Sequence, residues 1–139
     1  MKIRPYRPAD EAAVVRLWTE CGLTRPWNDP HKDIGRKLAV QAQLFLVGEL
    51  DGAIVASAMA GYDGHRGWVN YLAVAEHYRR RGFARTLMVH IEQALRAMGC
   101  PKLNVQVRTS NREALAFYER LGYAPDQAVT VGKRLIRDA

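Results

Sequence analysis

Three consecutive arginines, Arg79, Arg80 and Arg81, stand directly before Gly82-Phe83-Ala84, and no other stretch of the chain concentrates so much chemistry. From Glu76 to Arg85 four arginines oppose one glutamate, a local charge of +3 within a chain whose formal net charge is +7. Charge placed in this way suits an anion. The apolar spacing Phe83, Leu87, Ile91, Leu95 and Met98 predicts a helix that opens near Gly82 and stops at Gly99. A helix start leaves N–H groups unpaired and carries about half a positive charge, and the small Gly82 and Ala84 let an anion approach the backbone. Phosphate is the natural guest. The sequence has neither a Gly-rich loop ending in Gly-Lys-Ser/Thr nor a Gly-x-Gly-x-x-Gly after its first strand, which counts against ATP and NAD. His31, His77 and His90 lack ligand spacing and His65 reads as a surface turn residue. Cys21 and Cys100 fit neither a disulfide framework nor a zinc site, and read as buried thiols without a task. No metal is expected.

The elements that must position this loop follow from periodicity. Ile3 to Tyr6 predicts a strand, and Val14, Val15, Leu17, Trp18 and Cys21 predict a helix ended by Gly22. In the turn Arg25-Pro26-Trp27-Asn28-Asp29-Pro30, Asp29 is an N-cap and Pro30 the first residue of a second helix reaching about Ala42. Leu44 to Glu49 and Ala53 to Ala60 form a hairpin through Leu50-Asp51-Gly52, and Trp68 to Val74 adds a third antiparallel strand. After the arginine loop and its helix, Lys102 to Arg108 alternates as a strand. Ser110 with Glu113 predicts a capping box for a helix through Leu121, and Tyr123 to about Leu135 a last, weak strand. The order is β-α-α-β-β-β-α-β-α-β, an α/β (mixed α+β) fold with a mostly antiparallel central sheet and helices on both faces.

With 48% hydrophobic and 25% charged residues, the chain reads as one globular domain over residues 1–139. No run approaches the roughly 18 apolar residues of a membrane span, and the opening lacks a secretory stretch, so the expected location is cytoplasmic. A pI near 9.8 alone would also suit nucleic acid, but no recognition motif accompanies the charge, so neither nucleic acid nor membrane is an expected partner.

Arg79-x-x-Gly82-x-Ala84 resembles the signature of the GCN5-related N-acetyltransferases, and Leu72-Ala73-Val74 resembles the strand that precedes it there. Asn111, Ala114, Phe117-Tyr118 and Leu121-Gly122-Tyr123 are similar to that family's second motif. Arg25 to Pro30, Tyr62 to Gly67 and Gly99 to Lys102 resemble the YpeA subgroup. The resemblance implies acetyl-coenzyme A as co-substrate, held by Leu72, Ala73, Val74, Arg79, Arg80, Arg81, Gly82, Phe83, Ala84, Arg85, Asn111 and Tyr118. It further implies a bulged strand whose Val74 N–H faces the thioester oxygen, and Tyr118 as the acid that protonates the departing thiolate. Gln106 aligns with a glutamate of the ribosomal-protein acetyltransferase branch. Since glutamine accepts no proton, a water chain, an acceptor that is already neutral, or a purely orienting Gln106 stays open. The implied acceptor is the primary amine of a small molecule or of a peptide or protein N-terminus. In the family the Trp27-Asn28-Asp29 loop borders that acceptor, although capping explains Asn28 and Asp29 equally well. A monomer or homodimer is expected. The alternative is a module that binds or senses acyl-coenzyme A without chemistry, as the missing base would suggest.

Overall fold

A computed structural model of the chain describes residues 1–138. Its elements are β1 (Lys2–Pro5), α1 (Glu11–Glu20), α2 (Pro30–Leu38), β2 (Phe45–Leu50), β3 (Ala53–Tyr62), β4 (Gly67–Val74), α3 (Phe83–Ala97), β5 (Leu103–Val105) and α4 (Arg112–Arg120). The mixed α/β architecture is the expected one up to its last element. Residues 123–138 contain no strand. The alternating Val129 and Val131 suggested one, yet they are 89% and 88% exposed, and a strand without a partner to complete its ladder does not hold in water.

Residues 1–105 with Asp138 form one compact unit, and Gln106–Arg137 forms a second. In the first unit the sheet runs β1-β2-β3-β4-β5 in space, antiparallel except for the parallel pair β4 and β5. The β2–β3 turn places Asp51 at φ +52° and Gly52 at φ +80°, the two left-handed residues that a tight hairpin of the matching twist requires.

Strand alternation sorts the core into two faces. Phe45, Val47, Met59 and Ala73 pack with Tyr6, Val14, Leu17, Trp18 and Ile34, which places α1 and α2 on that face. Leu46, Ala56, Ala58 and Ala60 are equally buried but point the other way, toward the side where α3 packs on β3 and β4. There α3 buries Leu87, Met88, Ile91 and Leu95, while Met98 stays 39% exposed. Met98, expected on the buried face, lies just past the helix end at Ala97 and escapes burial, while Met88 joins the buried face unforeseen. The indole of Trp18 donates to the Ser57 hydroxyl at 2.8 Å with both side chains fully buried. That bond satisfies two polar groups that would otherwise each cost about 1–3 kcal/mol.

Candidate functional site

The fourth strand carries two irregularities that set up the site. The first is where its neighbour stops. β5 pairs only with Gly67, Trp68 and Val69, so among the described strands none lies beside β4 on that edge from Asn70 to Val74. The second is a bulge. Met59 pairs with Asn70 and Ser57 with Ala73, leaving Ala58 opposite both Tyr71 and Leu72. Tyr71 takes φ +53°, a left-handed conformation that costs a residue with a side chain about 1–3 kcal/mol. Three contacts hold it: its ring stacks on Trp18 at 3.9 Å, its hydroxyl donates to Asp33 Oδ2 at 2.6 Å, and its carbonyl accepts from Ser57 Oγ at 3.4 Å. Desolvation and Asp33 both push the Tyr71 phenol above its ordinary pKa, so it is a firm donor.

Antiparallel neighbours alternate between facing their partner strand and facing away. The Ala75 N–H donates to Val55 O at 2.8 Å, so Val74, one residue earlier, turns its N–H away from β3 toward the uncovered edge. Its carbonyl accepts from Arg79 Nε at 3.2 Å and from the Cys21 thiol at 3.5 Å, and Arg79 Nη2 also reaches Cys21 Sγ at 3.7 Å. Arg79 therefore ties the arginine loop to the strand end, and Cys21 is half-buried with a place in that tie rather than being a thiol without a task.

Beyond Arg79 the backbone opens outward. Arg80 at φ +64° and Gly82 at φ +78° are both left-handed, and no Cβ on Gly82 would meet another atom within 4 Å. The first helical bond of α3 runs from Thr86 N to Gly82 O, and its N-cap glycine offers no side chain. Among the described residues, the main-chain N–H groups from Arg80 to Arg85 have no backbone acceptor. Arg81 lies 5.2 Å over the Tyr78 ring, and that ring stacks on Phe83 at 6.3 Å. None of Arg79, Arg80, Arg81 and Arg85 pairs with a carboxylate among the described residues. A row of free donors at the positive end of a helix, surrounded by uncompensated cations, has the chemistry to accept phosphate oxygens.

The remaining expected residues belong to the second unit. The helix α4 is capped by Asn111, whose Oδ1 accepts from Ala114 N at 3.1 Å, rather than by a box between Ser110 and Glu113. The amide of Asn111 thus spends its acceptor on the helix and keeps its N–H donors. Tyr118 meets Phe117 and Tyr123 edge-on at 5.0 Å and 5.5 Å. Burial pushes its phenol up to about 12. Among the described residues no buried side-chain polar atom lacks a partner and no hydrogen bond engages the Tyr118 hydroxyl, so the hydroxyl itself reaches solvent. Gln106 is exposed and donates to Thr130 Oγ1 at 3.1 Å.

The first unit thus gathers Leu72, Ala73, Val74 and Arg79 to Arg85 around one strand end, while Gln106, Asn111 and Tyr118 sit in the other unit. Asp29 caps α2 as expected, accepting from the N–H groups of His31 and Lys32, and Trp27 is 56% exposed. Sequence reading missed Tyr71, Asp33, Trp18 and Ser57, which fix the bulge. Only the place of Tyr71 three residues before Val74 hinted at it. Among the described residues no three His, Cys, Asp or Glu side chains are grouped to hold a metal ion, and no helix is long and apolar enough to cross a membrane.

The sequence pattern of the acetyltransferase (GNAT) family matches residues 12–123, a span that runs through both units. The chain is 50% identical over 138 residues to acetyltransferase YE1169 of Yersinia enterocolitica, covering 99% of this chain and 98% of that one. Its fold is similar to that of Ard1 from Thermoplasma volcanium, with a TM-score of 0.77, 26% identity, and 88% and 82% of the two chains covered. It is also similar to Naa20 of Chaetomium thermophilum in complex with a bisubstrate analogue, at a TM-score of 0.72 and 25% identity over 89% and 71% of the chains.

Proposed function

The chain belongs to the acetyltransferase (GNAT) family and is an acetyltransferase, and we propose that it moves the acetyl group of acetyl-coenzyme A onto a primary amine, of a small molecule or of a peptide or protein N-terminus. We treat the two units as halves of one catalytic domain, working in the cytoplasm as a monomer or homodimer. The observation that carries this reading is the uncovered edge of β4 leading into six consecutive main-chain N–H groups without a backbone acceptor, Arg80 to Arg85.

These residues fit the donor. A pantetheine arm carries amides that an open strand edge can pair, and a pyrophosphate carries the oxygens that the N–H groups of Gly82, Phe83, Ala84 and Arg85 satisfy, with Arg80, Arg81 and the main chain of Leu72 and Ala73 completing the cradle. When bound, the donor supplies an activated acyl thioester. The Val74 N–H, turned to the open edge, stabilises the oxygen of that thioester as charge develops on it, an effect worth roughly 3 to 4 kcal/mol per donor where measured. Tyr118 holds a proton at its hydroxyl. With a pKa of about 12 it remains protonated far above neutrality and can still donate to sulfur as thiolate charge appears. Asn111 offers its amide N–H groups to the donor. Gln106 orients the amine and takes no proton, so the acceptor enters neutral or loses its proton to water.

The test is release of free thiol from acetyl-coenzyme A with a panel of amines and peptide N-termini. Turnover with at least one acceptor is expected, and Tyr118→Phe should lower kcat about 10²- to 10⁴-fold with KM for the donor unchanged. Silence across the whole panel would remove the catalytic reading. An undiminished Tyr118→Phe at all pH values would remove Tyr118 as the acid.

A further inference from the structure

A chain of polar contacts runs from the far end of the sequence to the bulge in β4, and nothing in the reaction described so far uses it. Asp138 has a side chain only 2% exposed. Its carboxylate accepts from Arg36 Nη2 at 2.5 Å and Nη1 at 3.5 Å, and from the Asp29 N–H at 2.7 Å, while its carbonyl accepts from Lys32 Nζ at 2.7 Å. Arg36 Nη1 also donates to Asp33 Oδ1 at 3.1 Å, and the second oxygen of Asp33 takes the Tyr71 hydroxyl at 2.6 Å. All six residues lie in the first compact unit.

Two features separate this chain from an ordinary surface ion pair. Exposed pairs contribute little, because solvent and side-chain entropy compete with them. Although Arg36 is 47% exposed, the Asp138 side chain is not, and a buried carboxylate must find charged or N–H partners or lose its place, which makes these contacts a requirement. At the other end, Tyr71 holds a left-handed conformation that its own side chain disfavours. Trp18 fixes the plane of the ring by stacking on it, and among the described residues Asp33 is what holds the hydroxyl. The bulge at Tyr71 and Leu72 then sets the direction of Ala73 and Val74, the residues that follow it.

We propose that Asp138, Arg36 and Asp33 form a positioning relay that holds Tyr71 in the bulge and so aims the Val74 N–H, while the same Asp138 carboxylate pins the start of α2 beside the Trp27-Asn28-Asp29 loop. The proposal rests on the acetyl-transfer reading above. In it Asp138 and Arg36 touch neither donor nor acceptor and act only through Asp33 and Tyr71. The chain explains why a residue 67 positions beyond Tyr71 in sequence belongs to the first unit rather than to the tail that leads to it.

The experiment compares wild type with Asp138→Ala, Asp138→Glu, Arg36→Met and Tyr71→Phe, each corrected to its folded fraction. Asp138→Ala and Tyr71→Phe should each lower kcat about tenfold or more, as small misplacements of catalytic groups do, with KM for acetyl-coenzyme A within twofold. Asp138→Glu should recover part of the loss. The double variant Asp138→Ala with Tyr71→Phe should be no slower than the slower single variant, because both cut the same chain. A structural role alone would lower Tm and leave kcat per folded molecule intact. Amide hydrogen exchange supplies a readout independent of turnover: in Asp138→Ala the amides of Tyr71 to Val74 should exchange faster while those of β2 and α3 do not. Unchanged exchange at Tyr71 to Val74, or additive kcat losses in the double variant, would overturn the relay. A wild type that turns over normally alongside an unaffected Asp138→Ala would end the relay and leave the acetyl-transfer reading standing. An inert wild type whose exchange still responds would do the reverse.

Discussion

Among the described residues two helices begin under a side-chain cap and one begins open. Ahead of α1, which has no side-chain cap of its own, the Asp10 carboxylate accepts the Arg7 N–H at 2.8 Å and both guanidinium ends of Arg4 at 2.8 and 2.9 Å, tying down the turn that leads into the helix. Asp29 folds over the first turn of α2 and Asn111 over that of α4, and both helices carry an acid there, Asp33 and Glu113. The helix α3 has a glycine cap, no acid in its first turn, and Arg85 where an acid would help. By the rules of helix stability it starts badly. A glycine cap costs a few tenths of a kcal/mol against Asp or Asn, and cations at the positive end of the dipole cost about as much again. Such a departure from local preference survives where an external anion supplies what the chain withholds.

Closing the open entrance should therefore have the largest effect. In Gly82→Asp the new side chain tolerates a left-handed backbone better than most and lays a carboxylate on the free N–H groups. The strain of a side chain at φ +78° should offset the new cap, so Tm should fall by no more than a few degrees. KM for acetyl-coenzyme A should rise about 100-fold, the equivalent of roughly 3 kcal/mol for charge-assisted hydrogen bonds replaced by repulsion. Thiol-release kinetics and a thermal melt read both. An unchanged KM would show that the openness of α3 has nothing to do with the donor, and the contrast among the four helices would lose its meaning.

Loosening the turn ahead of α1 should cost stability instead. Asp10→Asn keeps the shape but removes the charge that Arg4 and the Arg7 N–H converge on, a loss of about 2 kcal/mol at pH 7. The bonds from Arg4, more than any other cause, hold the Asp10 carboxyl below its usual range, and Asp10 in turn raises Arg4. Because the folded pKa is depressed, the stabilisation is present in full above the unfolded value of about 3.9 and disappears as pH falls through the lower folded value. Melts of wild type and variant should thus differ by a constant gap above about pH 5, and the gap should start to shrink near pH 4 and go on shrinking as pH falls further. A gap that does not shrink between pH 5 and pH 3 would mean that packing around Asp10 matters more than its charge.

These contrasts also mark what the amino-acid order makes readable. The Asp29-Pro30 start, the Asp51-Gly52 turn and the loop from Arg79 to Ala84 are each encoded within a few residues, so spacing alone placed them. Local encoding failed by one position at α4, where Ser110 and Asn111 are both good caps and the backbone selected the second. It failed wholly for the tail, since Val129 and Val131 alternate like a strand but strand formation needs a partner that the local pattern cannot supply. A bulge before Val74 was expected from the family resemblance, but the residues that hold it were the deepest omission. Nothing local distinguishes Tyr71 from any half-buried strand tyrosine. Its conformation is fixed by Trp18, Asp33 and Ser57, which come from α1, α2 and β3, and such long-range pairings have no periodicity to read.

The smallest effect separates the two tasks that meet at the start of α2. Asp29 uses its side chain to cap the N–H groups of His31 and Lys32, and its main-chain N–H to bind Asp138. Asp29→Ala deletes only the first, because the N–H belongs to the backbone. Stability should fall by about 1 kcal/mol, the usual loss for a carboxylate cap, visible as a lower denaturant midpoint with an unchanged slope. Since Asp138 and Arg36 keep their bond, and Arg36 keeps Asp33, kcat per folded molecule should hold within twofold of wild type. A kcat loss as large as that of Asp138→Ala would mean that the cap, rather than the buried carboxylate, steadies the bulge. Equal kcat with a lowered midpoint would confine Asp29 to the closed class of helix starts and leave the path to Tyr71 running through Arg36 alone.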